Sequence, residues 1–121
     1  MAKTYEDLVS EARAVTQPTT AEEVNAAREA GESVTILDVR EPDEREQARI
    51  PGSKPLPRGL LEYRAADELP EKDARIVVHC ALGGRGFLAA KTLGEMGYTN
   101  AANLSGGIKA WREAGYPVEG G

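Results

Sequence analysis

Residues 76–96 constrain the fold most: Ile-Val-Val-His-Cys-Ala-Leu-Gly-Gly-Arg-Gly-Phe-Leu-Ala-Ala-Lys-Thr-Leu-Gly-Glu-Met. Ile76–His79 is short, β-branched and flanked by polar residues, as a buried strand is. Phe87, Leu88, Ala90 (or Lys91), Leu93 and Met96 recur at helical spacing, and Gly97 closes the run. Between strand and helix lies a loop with glycine at 83, 84 and 86, and the only cysteine, Cys80, stands where the strand stops.

The rest of the chain repeats the alternation. Tyr5, Leu8, Val9, Ala12 and Val15 predict an amphipathic helix over 4–16, with Thr4 and Asp7 as a capping pair and Pro18 as its stop. Thr20 and Glu23 match a capping box, so a helix runs from Ala21 to about Ala30 and Gly31 caps it. Residues 34–39 are apolar on both faces, as in a central parallel strand. Residues 41–47 are charged and predict one or two exposed helical turns, followed by a turn at 50–53. Residues 54–57 hold two prolines and suit only a sheet edge. A short helix is expected over 59–66, a strand over 101–104, and a last helix from Gly106-Gly107 to Ala114 with Trp111 on its buried face and Gly115 as cap. Pro117 is expected to end the ordered part. Strands alternating with helices make an α/β domain with a mainly parallel sheet.

At 121 residues one domain is expected, with 1–18 as a helical extension, 19–118 as the domain and 119–121 as a tail. The net charge of −5 argues against nucleic acid as a partner. No apolar run approaches the roughly 18 residues of a membrane span, and the N-terminus lacks the apolar core of a signal peptide. A cytoplasmic protein without membrane contact is expected. One cysteine and one histidine argue against an internal disulfide and against a structural metal.

In a parallel α/β sheet, ligands bind at the carboxyl ends of strands beside helix N-termini, which is where Cys80 lies. The amides of the following loop and first helical turn have no helical partners and can point at the sulfur or at an anion bound to it. The glycines remove side chains that block approach, and Arg85 adds a permanent charge. Such donors convert a thiol of ordinary pKa, about 8.5, into the nucleophilic thiolate, and equally hold a persulfide anion. The competing reading of Cys80 is a small core residue. His79 neighbours Cys80 in a strand, so the two side chains point to opposite faces, and His79 reads as a packed histidine rather than a base. Asp38, inside a strand, reads as a structural hydrogen-bonding group.

Four segments in order resemble the rhodanese homology domain family: Leu37-Asp38-Val39-Arg40-Glu41-Pro42, Ile50-Pro51-Gly52-Ser53, the loop Cys80 to Gly86, and Gly106 to Trp111 with Gly115 to Val118. The resemblance implies a three-layer α/β/α fold around a central, mostly parallel five-stranded sheet. It implies sulfur transfer by double displacement, with Cys80 as nucleophile and Ala81, Leu82, Gly83, Gly84, Arg85 and Gly86 holding the substrate. Arg85 binds the anionic donor or braces the loop, and Asp38 and Arg40 support the loop from the neighbouring strand end. The donor is a small anion such as thiosulfate, and the acceptor is a thiol, cyanide or a carrier protein. No metal or organic cofactor is implied.

Four residues separate Cys80 from Arg85, whereas the related cell-cycle phosphatases carry five, so the loop resembles the sulfur-transferring kind. The alternatives are a non-catalytic regulatory or sulfur-carrier binding module, and a phosphatase or arsenate reductase. The chain departs from the family pattern at Ala48-Arg49, where Gly-His is frequent, and at Gly86, where serine or alanine is frequent. Arg49 reads as a solvated surface residue. Gly86 is expected to loosen the helix start and to cost a hydroxyl donor. The helix over 4–16 lies outside the minimal domain and reads as a packing extension or a dimer contact.

Overall fold

The computed structural model describes residues 2–120. Capping boxes open the first two helices: Thr4 with Asp7 starts α1 (Tyr5–Val15), and Thr20 with Glu23 starts α2 (Ala21–Glu29). Each box satisfies amides that the first helical turn leaves without partners. Between them, β1 (Gln17–Thr19) is a strand that sequence reading did not foresee. It lies at the sheet edge, paired only with β5, where a proline without an N–H is tolerated.

The chain continues as β2 (Thr35–Asp38), α3 (Pro42–Gln47) and β3 (Lys54–Pro55). A 3₁₀ turn at Arg58–Leu60 leads into α4 (Leu61–Glu68), and β4 (Ile76–His79), α5 (Gly84–Glu95), β5 (Ala101–Leu104) and α6 (Gly107–Glu113) follow. The strands order as β1-β5-β4-β2-β3, and every pairing is parallel. The expected five-stranded, mostly parallel sheet between helical layers is therefore what the chain forms, with the parallel pairing complete. β4 is flanked on both sides and all four of its residues are buried, which is why it reads as an uninterrupted apolar run.

The sheet separates two cores. Leu37, Val39, Val78 and Cys80 pack with Leu61, Ala65, Ala89 and Leu93 beneath α4 and α5. Ile36, Val77 and Leu104 pack with Val24, Ile108 and Trp111 beneath α2 and α6. α1 packs against α5. The buried face of α5 is Gly86, Phe87, Ala89, Ala90 and Leu93, so Ala89 takes a place that the sequence pattern assigned to the half-buried Leu88.

Order also continues past Pro117. The backbones of Arg49 and Glu119 exchange hydrogen bonds of 2.9 and 3.0 Å, and the Arg49 guanidinium lies 3.5 Å from the Glu119 carboxylate. Arg49 thus closes the chain end against the domain rather than standing alone in solvent. No described helix is long and apolar enough to cross a membrane.

Candidate active site

Parallel strands place the ends of β2, β3, β4 and β5 along one edge of the sheet, and the loop from Cys80 to Gly86 leaves that edge from its centre. Alternation along β4 puts Cys80 on the face of α4 and α5, with 1 % of its surface exposed. The Gly83 and Gly86 amides donate to its Sγ over 3.0 and 3.3 Å. These two donors converge on the sulfur because Gly83 adopts φ +120°, a left-handed conformation that turns the chain directly into α5.

Three neighbours hold this turn. From α6 and β5, the Ile108 and Lys109 amides donate to the Cys80 and Ala81 carbonyls at 2.9 and 3.2 Å, and Asn103 Nδ2 donates to the Gly83 carbonyl at 3.2 Å. A Cβ on Gly86 would stand 2.0 Å from Asn103 Oδ1. Gly86 is thus required by packing against Asn103, a reason that the expected loosening of the helix start does not contain. From α1, the Tyr5 hydroxyl lies against Gly84, 2.1 Å from where a Cβ would stand. Ala81 is half-buried, and Leu82, at the loop's apex, is 70 % exposed.

Arg85 closes as a fork on Glu44 of α3, with N–O distances of 2.8 and 2.9 Å. The hydrogen bonds from Arg85 hold the Glu44 carboxyl down at about 2 against its slight burial, and the Glu44 carboxylate in turn raises Arg85. Of the two roles that resemblance offered for Arg85, this geometry corresponds to bracing.

Asp38 and Arg40 are buried, and register sets Asp38 beside His79. Both belong to the alternation that faces α2 and α6, so their side chains lie across the sheet from the Cys80 side chain. Arg40 donates to both Asp38 oxygens at 3.0 and 2.9 Å, to the Ala48 carbonyl at 2.6 Å and to the Glu44 carbonyl at 3.5 Å. Arg45 adds a bond of 3.3 Å to Asp38 and two bonds to Ser53. Burial raises the Asp38 pKa, but hydrogen bonds from Arg40 and the neighbouring positive groups outweigh it and leave the carboxyl below its ordinary value. The pair anchors the C-terminal half of α3, whose Glu44 holds Arg85. It reaches the loop through a helix rather than directly.

His79 is fully buried, with Nδ1 3.2 Å from the Cys80 carbonyl and Nε2 without a hydrogen-bond partner. Nε2 is 3.9 Å from Asp38, which favours the charged ring. Burial outweighs that attraction and lowers the pKa, so the ring is neutral. On the opposite face from Sγ, it is not placed to take the thiol proton.

Sequence reading did not single out Glu44, Asn103 or Tyr5 as parts of the site. Asn103 carried a signal, as a polar residue inside the run Ala-Ala-Asn-Leu. Glu44 carried only its place in a capping box with Glu41, and Tyr5 read as one member of an apolar stripe.

Residues 20–114 match the sequence profile of the rhodanese-like domain. A sulfurtransferase of Allochromatium vinosum is 39% identical over 87 residues, covering 72% of this chain and 79% of that protein. Among solved structures, a Rhodopseudomonas palustris protein of unknown function, suggested to be a tyrosine phosphatase, superposes with a TM-score of 0.88 at 34% identity, covering 98% of this chain and 96% of that one. A thiosulfate sulfurtransferase of Pseudomonas aeruginosa superposes with a TM-score of 0.84 at 33% identity, covering 94% of this chain but only 22% of its own.

Proposed function

Since the chain belongs to the rhodanese-like domain family, we propose that it transfers sulfane sulfur from a small anionic donor of the thiosulfate type to a thiophilic acceptor, through a persulfide on Cys80. The observation that carries this reading is the pair of amides, from Gly83 and Gly86, aimed at Cys80 Sγ. Fixed donors stabilise negative charge on sulfur without reorganising during the reaction. They serve the attacking thiolate and the persulfide anion alike.

In the first half-reaction the Cys80 thiolate attacks the outer sulfur of thiosulfate. A new S–S bond forms, the old one breaks, and sulfite leaves with its electron pair. Charge is conserved: thiolate and thiosulfate carry three negative charges, as do persulfide anion and sulfite. In the second half-reaction an acceptor takes the outer sulfur and the Cys80 thiolate returns. A cellular thiol or a carrier protein fits that role, and cyanide serves in an assay. Ala81 to Gly86 cradle the sulfur, Arg85 braces the loop through Glu44, and Asp38 with Arg40 positions α3.

The test is intact mass after incubation with thiosulfate. A gain of one sulfur atom that Cys80→Ser abolishes is the expected result. No gain, together with no thiocyanate from cyanide, refutes the proposal. A phosphatase is the second reading, favoured by the likeness to the Rhodopseudomonas palustris protein. Two features weigh against it: the loop is one residue short of the phosphatase kind, and Glu44 already occupies the arginine that a phosphate would need. Turnover of an aryl phosphate by Cys80 would revive it.

A further inference from the structure

A cavity of about 480 Å³ opens between α3, the β3 edge of the sheet and the turn that leads into α4. None of the residues from Cys80 to Gly86 lines it, so an occupant does not lie at the sulfur. Its volume falls within the range of small-molecule sites, roughly 300–1,000 Å³. Four arginines line it, at 40, 45, 49 and 64, against one carboxylate, Glu46. That balance runs against the chain's net charge of −5.

The four guanidinium groups are unequally used. Arg45 is committed to Asp38 and Ser53. Arg40 is 5 % exposed and spends Nε and Nη2 on Asp38 and the Ala48 carbonyl. Its Nη1 has a single long contact, 3.5 Å to the Glu44 carbonyl, so one buried proton is left without an acceptor among the described residues. Arg49 approaches Glu119 through Nε alone, at 3.5 Å, and both of its terminal nitrogens stay available. Arg64 is exposed, and its side chain makes no hydrogen bond or ion pair among the described residues. Uncommitted guanidinium forks match oxyanions, and a phosphate monoester, with up to two charges and three terminal oxygens, engages more than one of them.

The walls define the rest of the ligand. Pro42, Pro55 and Pro57 carry no N–H, and Leu60 is 41 % exposed at the cavity's side. These surfaces take a flat or apolar body and offer it no amide donor. Glu46 is exposed and its carboxylate has no partner among the described residues. It repels a bare anion, but it accepts from a ligand that also carries N–H or O–H groups. The lining thus calls for three things in one molecule: a phosphate, a flat body and hydrogen-bond donors.

We propose that this cavity is a binding site for a nucleoside monophosphate. The phosphate pairs with Arg64 and Arg49, the base lies on Leu60 and the prolines, and a sugar hydroxyl or base amino group donates to Glu46. The site is separate from the Cys80 loop, and the assignment does not depend on sulfur transfer.

The test titrates adenosine 5′-monophosphate, adenosine and inorganic phosphate into the full chain at one fixed salt concentration and follows the backbone amide resonances. Saturable shifts with the nucleotide, confined to residues 40–49 and 55–64, are expected, with weaker binding of adenosine and of phosphate alone. Arg64→Gln should weaken the nucleotide about tenfold, as the loss of one charge-assisted contact does. Arg64 holds nothing else in place, so the variant should unfold at the same urea concentration as wild type. Arg112→Gln is the control: Arg112 is an exposed arginine of α6 outside the cavity, and its loss changes the net charge equally. It should leave binding unchanged. Leu60→Ser should weaken the nucleotide and leave inorganic phosphate as it was. Four results overturn the assignment: no saturable shifts in wild type, shifts centred on residues 80–86, equal weakening by Arg64→Gln and Arg112→Gln, or phosphate alone binding as tightly as the nucleotide.

Discussion

Gly86→Ala isolates the contact between the sulfur-holding loop and β5. The new Cβ would stand 2.0 Å from Asn103 Oδ1, and 3.0 Å from its Cγ. Closely packed interiors do not absorb such an overlap, so the Asn103 amide must retreat by roughly 1 Å. Asn103 is fully buried, and its Nδ2 holds the Gly83 carbonyl at 3.2 Å. Losing that bond with both partners buried costs about 1–3 kcal/mol. Alanine in place of glycine near the helix start returns up to about 1 kcal/mol of helix propensity. The net expectation is a loss of about 1–2 kcal/mol, read by urea unfolding. The decisive measurement is the double-mutant cycle. In an Asn103→Ala background the Cβ finds room, so the same substitution should be neutral or slightly stabilising, giving a coupling of about 1–3 kcal/mol. The Gly86 amide also donates to Sγ, so the rate of Cys80 alkylation should change in Gly86→Ala and recover in the double variant. An equal cost of Gly86→Ala in both backgrounds refutes the steric account.

Glu44→Gln removes the brace on Arg85. A carboxyl held at about 2 rather than 4.5 adds stability that is complete above about pH 4.5 and lost as pH falls towards 2. Taken at face value the shift is worth about 3 kcal/mol, but both side chains are about one-third exposed, and solvent screening reduces the pair to ~1 kcal/mol. Melting wild type and variant at pH 7 and pH 2 should show a difference that vanishes at the acid end; a difference independent of pH refutes the ion-pair account. For His79, burial favours the neutral ring, so below about pH 6.5 the unfolded chain takes up a proton that the native ring resists. Stability should fall with acidification at a slope approaching ~1.4 kcal/mol per pH unit, and His79→Asn should flatten that part of the profile. A profile identical in the two proteins between pH 7 and 5.5 means that His79 does not titrate across unfolding.

Much of this molecule is written in short-range signals. The capping boxes at Thr4 and Thr20, the β-branched run at Ile76–His79 and the glycines that turn Cys80 into α5 each act within a few residues. Local sterics and hydrogen bonding decide them, so the α/β alternation and the candidate nucleophile are legible without a fold. The pleat of β4 by itself likewise sends His79 and Cys80 to opposite faces. β1 was not legible because three residues containing a proline have no strand propensity of their own. They become a strand only because β5 offers an edge.

The wiring of the site belongs wholly to the tertiary structure. Arg85 meets Glu44 across 41 positions of sequence, Asn103 meets the Gly83 carbonyl across 20, and Tyr5 reaches Gly84 from a helix beyond the matched domain. From residues alone, Cys80 in its glycine loop was a thiol with donors and a free arginine beside it. Folding aims two amides at the sulfur and neutralises Arg85 against α3. Periodicity encodes which face a side chain takes, because that depends on the backbone within a turn or a pleat. It does not encode which distant face arrives opposite, because that is decided by how the layers pack.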